Sequence, residues 1–247
     1  MQMIIAPAKK MQVDLDSFEI QGLPAFLPET RQILSWLRQH SYEELKKLWR
    51  CNDKLARLNY DRLQTMDLTH KLTPALMAFV GLQYTAMSPD VFTEDALHRV
   101  QKQLYIVSGF YGLLRPFDGV TPYRLEMQAK AQVAGSKNLY DFWGDKLYRR
   151  VFSYHEPVIN LASQEYSKAI AKYLQPQDTF LTCKFGEINA QGRLIQKGTY
   201  AKQARGDMVR FICENGLTQP EELKDFQVAG YQFAPEFSDD SCYAFIR

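Results

Sequence analysis

The sequence predicts a single domain of the α/β or mixed α+β class across its 247 residues. Three observations predict it. Short apolar runs such as Leu104–Val107 and Val158–Ala162 have strand length and continuous buried character. Capped helical patterns stand among them without strict strand–helix alternation. No repeat, low-complexity tract or linker divides the chain, and its length suffices for a substantial core.

The elements follow in order. Gln2–Ala6 reads as a first strand closed by Pro7, and residues 11–27, with Gly22 and Pro24, as an extended loop. A helix begins near Pro28 with Ile33, Leu34 and Leu37 on one face. Ser41-Tyr-Glu-Glu is a capping-box pattern ahead of Leu45, Leu48 and Trp49. Asn52-Asp53 can cap the next helix, through Leu55, Leu58 and Leu63. Thr73-Pro74 predicts a helix ending at Gly81, and Thr93 opens another to about Gln103. Leu104–Val107 is a strand followed by a long irregular run, residues 108–127, rich in Gly, Pro, Tyr and Arg. Tyr140–Ser153 reads as an aromatic helix interrupted at Gly144, Pro157–Ala162 as a buried strand, and Ser163–Leu174 as a helix. Strands at Thr179–Phe185 and Arg193–Lys197 flank an Asn189–Gly192 turn. A basic helix, Thr199–Asn215, is closed by Gly216, a short helix starts near Thr218, and a last hairpin joins Tyr231–Glu236 to Cys242–Ile246.

With 46% hydrophobic and 23% charged residues, the composition excludes a disordered chain. Its apolar runs fall far short of the roughly 18 residues needed to span a bilayer, so no membrane association is expected. The basic residues Lys9 and Lys10 follow the first apolar stretch, the reverse of a secretory signal, and a cytoplasmic location is expected. Cys51, Cys183, Cys213 and Cys242 and the four histidines are scattered, so no local metal motif is present and no metal is expected. The cysteines read as reduced thiols, with Cys51, beside Arg50 and Lys54, the candidate redox sensor. The net charge of +2 is uneven: seven acids between Glu214 and Arg247 face only Lys224 and Arg247, which leaves +7 on residues 1–213. That asymmetry points to a polyanionic partner or to a solvated acidic tail.

Candidate site residues cluster after strands. Lys9 in Ala-Pro-Ala-Lys follows the first strand, where open α/β sheets hold ligands. Ser108 and Tyr111 follow the second, with Arg115, Tyr123 and Arg124 further along the same loop; arginine binds phosphate bidentately and tyrosine offers a stacking face. Asn160 and Ser163 end a third strand at a helix start. If these strands are parallel neighbours, their ends share one crevice. The alternatives are internal ion pairs, Arg115–Asp118 and Arg124–Glu126, and a simple helix cap at Ser163. Phe142 and Trp143 read as core, and Asp141 and Asp145 as a solvated face or partners for Arg149. Lys202, Arg205 and Gly206 fall on one face of the basic helix, with Arg210 beyond, and Gly206 implies a close approach by a helix or a ligand. Lys46, Lys47, Arg50, Lys54, Arg57 and Arg62 surround Cys51-Asn-Asp, a candidate helix-hairpin-helix without the usual glycines. Phosphate-loop, dinucleotide, nucleophile-elbow and metalloprotease motifs are absent, so no cofactor is expected.

Several motifs together resemble the bacterial YaaA peroxide-stress resistance family. They are Ala-Pro-Ala-Lys (6–9), Asn-Asp-Lys-Leu-Ala (52–56), Ser-Gly-Phe-Tyr-Gly-Leu-Leu-Arg-Pro-Phe-Asp (108–118), Pro-Tyr-Arg-Leu-Glu-Met (122–127), Leu-Tyr-Asp-Phe-Trp-Gly-Asp (139–145), Ile-Asn-Leu-Ala-Ser (159–163) and Tyr-Ala-Lys-Gln-Ala-Arg-Gly (200–206). The resemblance spans nearly the whole chain. It implies a single mixed α/β domain over residues 1–247, a central mixed sheet surrounded by helices in an unusual topology. It also implies a positively charged cleft, a helix-hairpin-helix, binding to double-stranded or branched DNA, and a hydrogen peroxide stress response linked to iron homeostasis. On this reading Lys9, Arg115, Arg124, Lys202, Arg205 and Arg210 meet phosphates without sequence preference, and Tyr111 and Tyr123 are available for stacking. The alternative is an enzyme acting on a small phosphorylated or nucleotide-like ligand in the strand-end crevice, with Lys9 the plausible nucleophile. A third reading is direct iron sequestration.

Overall fold

The computed structural model describes every residue, Met1–Arg247. The first strand, β1 (Gln2–Ile5), is buried along its whole length, as its apolar sequence requires. A short β2 (Lys10–Met11) follows, then the helices α1 (Leu27–Arg38), α2 (Tyr42–Trp49) and α3 (Asp53–Thr65). The Ser41 capping box forms as its sequence predicts, and Asn52 caps α3 by accepting from the Leu55 amide at 2.9 Å. The predicted helix over 73–81 does not form as such. Short β3 (Thr73–Pro74) and β4 (Phe79–Val80) bracket a single turn, α4 (Ala75–Ala78), because β3 and β4 pair with β7 (Gly119–Val120) and β2.

The chain continues through α5 (Leu82–Met87), α6 (Glu94–Gln103), β5 (Leu104–Ser108) and β6 (Gly112–Leu114). Next come α7 (Leu139–Trp143) and α8 (Lys146–Val151), separated at Gly144 with φ of 51°. β8 (Val158–Leu161), α9 (Gln164–Ala171), β9 (Phe180–Ile188), β10 (Leu194–Ile195) and α10 (Gly198–Asn215) follow. The last strands are β11 (Gln232–Phe233) and β12 (Cys242–Ile246).

The main sheet has the order β11-β12-β9-β8-β1-β5-β6, with β10 paired to β9. Five central strands are parallel, and β6 and β11 run antiparallel at the edges. The fold is therefore a single-domain mixed α/β architecture with a mixed eight-stranded sheet. One hydrophobic cluster of 65 buried residues unites the sheet with the helices. It includes Trp143, whose indole N–H donates to the Gly109 carbonyl at 3.1 Å. Asp145 pairs with Arg149 at 2.6 Å.

β8, β1 and β5 are adjacent and parallel, so their carboxyl ends lie along one edge of the sheet. Ala6–Lys9, Ser163 and Ser108 all leave from that edge, which is the convergence the sequence conditionally predicts. No helix is long and apolar enough to cross a membrane.

Candidate functional site

Beyond the ends of β1 and β8 the chain leaves a cavity of about 430 Å³. Its walls come from Ala6–Lys10, Val80–Tyr84, Ser163, Glu165 and Tyr166 at the start of α9, and Lys202 and Arg205 of α10. The cavity shares Pro7–Lys9 and Tyr166 with a small hollow lined by Tyr123–Glu126. That hollow in turn shares Arg124 and Glu126 with a third, between Trp49, Arg50 and Ala129. Together they mark a groove-like row of hollows from α10 to the α2–α3 turn, the second and third only about 20 Å³ each. Six cationic side chains line it (Lys9, Lys10, Arg50, Arg124, Lys202, Arg205) against two carboxylates, Glu126 and Glu165.

The cations differ in what holds them. Lys9 Nζ lies 3.0 Å from Glu126 Oε2, and Arg124 Nη2 lies 3.5 Å from Glu126 Oε1. The Arg124–Glu126 pair, the alternative to a phosphate contact at Arg124, therefore exists, and Glu126 bridges two groove cations. The ion pairs of α10 and its cap are Arg210–Glu214 and Lys197–Glu187, so neither Lys202 nor Arg205 is paired. Arg205 Nε is shut off from solvent with no acceptor, and burial pushes the guanidinium below its usual pKa. Burial likewise raises the Glu165 carboxyl, with nearby Glu126 adding to the rise and a hydrogen bond from the Gln128 amide opposing it.

Several expected contacts are corrected. Arg115 lies at the opposite, amino end of the sheet. Its guanidinium donates to the Lys102 and Leu104 carbonyls at 2.8 and 3.2 Å and to Gln2 Oε1 at 3.2 Å. It also stacks 3.6 Å from the Tyr105 ring centroid. The loop after β6 begins where β5 began, and this carries Arg115 away from the crevice. The alternative, an Arg115–Asp118 ion pair, does not form either: the contact is a hydrogen bond from the Arg115 backbone amide to Asp118 Oδ2 at 2.8 Å.

Ser108 is fully buried: it shares a hydrogen bond of 2.6 Å with the Tyr123 hydroxyl and accepts from the Phe110 and Tyr111 amides. Tyr123 stacks on Phe110 at 4.9 Å, and Tyr111 meets both rings edge-on. Neither tyrosine face is open to a base; this aromatic group instead rigidifies the loop under the groove. Asn160 is also buried. It accepts from the Ala162 amide at 3.0 Å and donates to Thr182 at 3.2 Å, which fixes the strand end without lining the cavity. Arg210 stands about 140° around α10 from Arg205 and pairs with Glu214 at 2.8 Å.

Of the sequence candidates, Lys9, Ser163, Lys202 and Arg205 meet in the cavity, and Arg124 joins them along the groove. Gln83, Glu165 and Tyr166 were not anticipated. Glu165 and Tyr166 sit in the first turn after Ser163, a position the helix-start signal could have flagged; Gln83 carries no sequence signal. Ser163 is the N-cap residue of α9, yet its side chain makes no capping bond. Cys183, Cys213 and Cys242 are buried and Cys51 is half-buried in the α2–α3 turn. Burial pushes the Cys213 thiol up to about 12, and Cys183 higher still. No group of three or more His, Cys, Asp or Glu is placed to hold a metal ion.

Fold and site define a mixed α/β protein with a cation-lined cavity at the carboxyl ends of its parallel strands. The chain belongs to the family described as peroxide stress protein YaaA, which matches residues 1–237. It is 54% identical over 247 residues to a UPF0246 protein of Ligilactobacillus salivarius, with both chains covered in full. It is 49% identical over 247 residues to one from Agathobacter rectalis, covering 99% of that relative. A relative from Desulfitobacterium hafniense is 45% identical over 247 residues, with 98% of it covered. The family's description supports a role in oxidative stress.

Proposed function

We propose that this protein binds DNA, double-stranded or branched, without sequence preference, through the groove between α10 and the α2–α3 turn. The observation that carries the reading is the row of adjoining hollows with cations in their walls. Three adjoining hollows share residues and gather cations from positions 9 to 205 of the chain. The α2–α3 pair supplies the helix-hairpin-helix of this reading. Arg50, in the left-handed conformation with φ of 46° and ψ of 51°, turns the chain there without glycine. Lys46, Lys47, Lys54 and Arg57 flank the turn in sequence. Phosphates held by these side chains release their condensed cations. Displacing iron from the DNA backbone in this way would limit peroxide-driven damage where it arises, in keeping with the family's peroxide-stress description.

The test is fluorescence anisotropy of a labelled duplex across a salt series. The affinity should fall log-linearly, with a slope near −0.9 per phosphate neutralised. Lys202→Ala combined with Arg205→Ala should flatten the slope by about 2. Salt-insensitive binding, or a double variant that behaves as wild type, would overturn the reading.

A further inference from the structure

The cavity at the head of the groove has a property that general DNA contact does not require. Two of its wall residues carry hydrogen-bond donors shut off from solvent with no acceptor, Arg205 Nε and Gln83 Nε2. Gln83 is only 7% exposed. An unmade bond on a buried donor is destabilising, and native interiors leave few such groups. Here two belong to residues of different elements, α5 and α10, that line the same hollow. Unpaired Lys202 adds a third donor, and the uncapped Ser163 hydroxyl, at the start of α9, a fourth. Lys9 lies at the rim, shared with Glu126. The one carboxylate in the wall, Glu165, accepts from the Gln128 amide.

We infer that this cavity binds a phosphomonoester group, with Arg205, Gln83, Lys202 and Ser163 as donors to its terminal oxygens. A phosphomonoester supplies three strong acceptor oxygens and a charge near −2. That matches two cations and two neutral donors better than a carboxylate with two oxygens does. The volume is several times that of a phosphate alone and falls in the range of small-molecule sites. The remaining wall, Ala6, Val80, Leu82, Tyr84 and Tyr166, is apolar or aromatic and suits an organic body of nucleoside size. Two sources carry this chemistry: a free nucleoside monophosphate and the 5′-phosphate end of a DNA strand. The second source rests on the nucleic-acid reading of the groove; the first does not.

Calorimetry with adenosine 5′-monophosphate, adenosine and inorganic phosphate tests the first source. A short single strand with a 5′-phosphate, compared with the same strand ending in a 5′-hydroxyl, tests the second. Expected is a preference of about tenfold or more for the phosphorylated member of at least one pair, lost in Arg205→Gln and reduced severalfold in Gln83→Met. Gln83→Met removes a buried unsatisfied donor and Arg205→Gln a buried unpaired charge, so both variants should melt no lower than wild type without ligand, which separates lost binding from lost folding. Preference for the nucleotide assigns a small-molecule site; preference for the phosphorylated strand alone assigns strand-end recognition. No preference in either pair, or full affinity in Arg205→Gln, overturns the inference. A blunt duplex with 5′-hydroxyl ends tests the groove independently. Salt-dependent binding there with no phosphate preference leaves the groove standing and the pocket refuted, and the converse result does the opposite.

Discussion

Gly206 of α10 lies against the backbone of Gln83 in α5 so closely that a β-carbon would overlap the Gln83 carbonyl group. The glycine thus serves helix-to-helix approach, and Gln83 is itself a wall of the cavity. One contact sets both the packing of α10 and the distance between two of the site's donors, Gln83 and Arg205.

Gly206→Ala should therefore destabilise the protein. Alanine gains about 1 kcal/mol of helix propensity over glycine, but overpacking against fixed backbone costs about 1–3 kcal/mol, and more where nothing can yield. A net loss of about 1–2 kcal/mol is expected in urea unfolding, along with weaker anion binding as α10 is pushed from α5. A variant as stable as wild type or more so would show that the two helices do not meet this closely.

Arg115 supports a different outcome from the groove arginines. It bridges the amino ends of β1 and β5 through two carbonyls and the Gln2 side chain. Arg115→Ala should cost about 2–4 kcal/mol of stability, because buried acceptors lose charge-assisted donors. The salt slope of DNA binding should stay unchanged at temperatures where the variant is folded. Normal stability with a flattened salt slope would return Arg115 to the binding surface.

Asp118 makes stability depend on pH. Burial pushes its carboxyl up to about 6, only partly offset by the hydrogen bond from the Arg115 amide and by the charges of Arg115 and Arg150. The unfolded carboxyl titrates near 4. The folded state binds this proton more tightly, so its contribution is fully present below about pH 4 and is lost as pH rises through about 6. The loss is on the order of 3 kcal/mol. Asp118→Asn should remove that slope while other carboxylates keep theirs. Its stability relative to wild type should therefore climb between pH 4 and 6 and then level off. Parallel curves across this window would mean that Asp118 titrates normally.

The strand ends were legible because short apolar runs, a proline after β1 and a serine before α9 fix where strands stop, and parallel order then gathers them. Lys9 and Ser163 were found on that basis, and Lys202 and Arg205 from the basic face of α10. Arg115 was misplaced because the chain reverses at β6, and a reversal returns a residue to the end its strand came from; spacing along the loop does not encode that. Tyr111 and Tyr123 were misjudged because aromatic residues beside arginines look alike whether they stack on a base or on one another. Gln83 was invisible, since its role comes from Gly206 lying 123 positions later. The helix expected over 73–81 failed because pairing with β2 and β7 outweighed its local start and stop signals.

Glu126 sets how much of the groove's charge is free. It is the carboxylate partner of both Lys9 and Arg124, at 3.0 and 3.5 Å. Glu126→Gln would release both cations and add one positive charge to the groove. Duplex affinity at low salt should rise severalfold, and the salt slope should steepen by about 1. Stability should fall by about 1–3 kcal/mol, because the Arg124 side chain is only 10% exposed and would lose its carboxylate. Losing a neighbouring negative charge, Glu165 should also titrate at lower pH, since Glu126 helps to hold it up. A folded Glu126→Gln protein that binds duplex more weakly than wild type would mean that the carboxylate positions Lys9 and Arg124 for the ligand and does not compete with it.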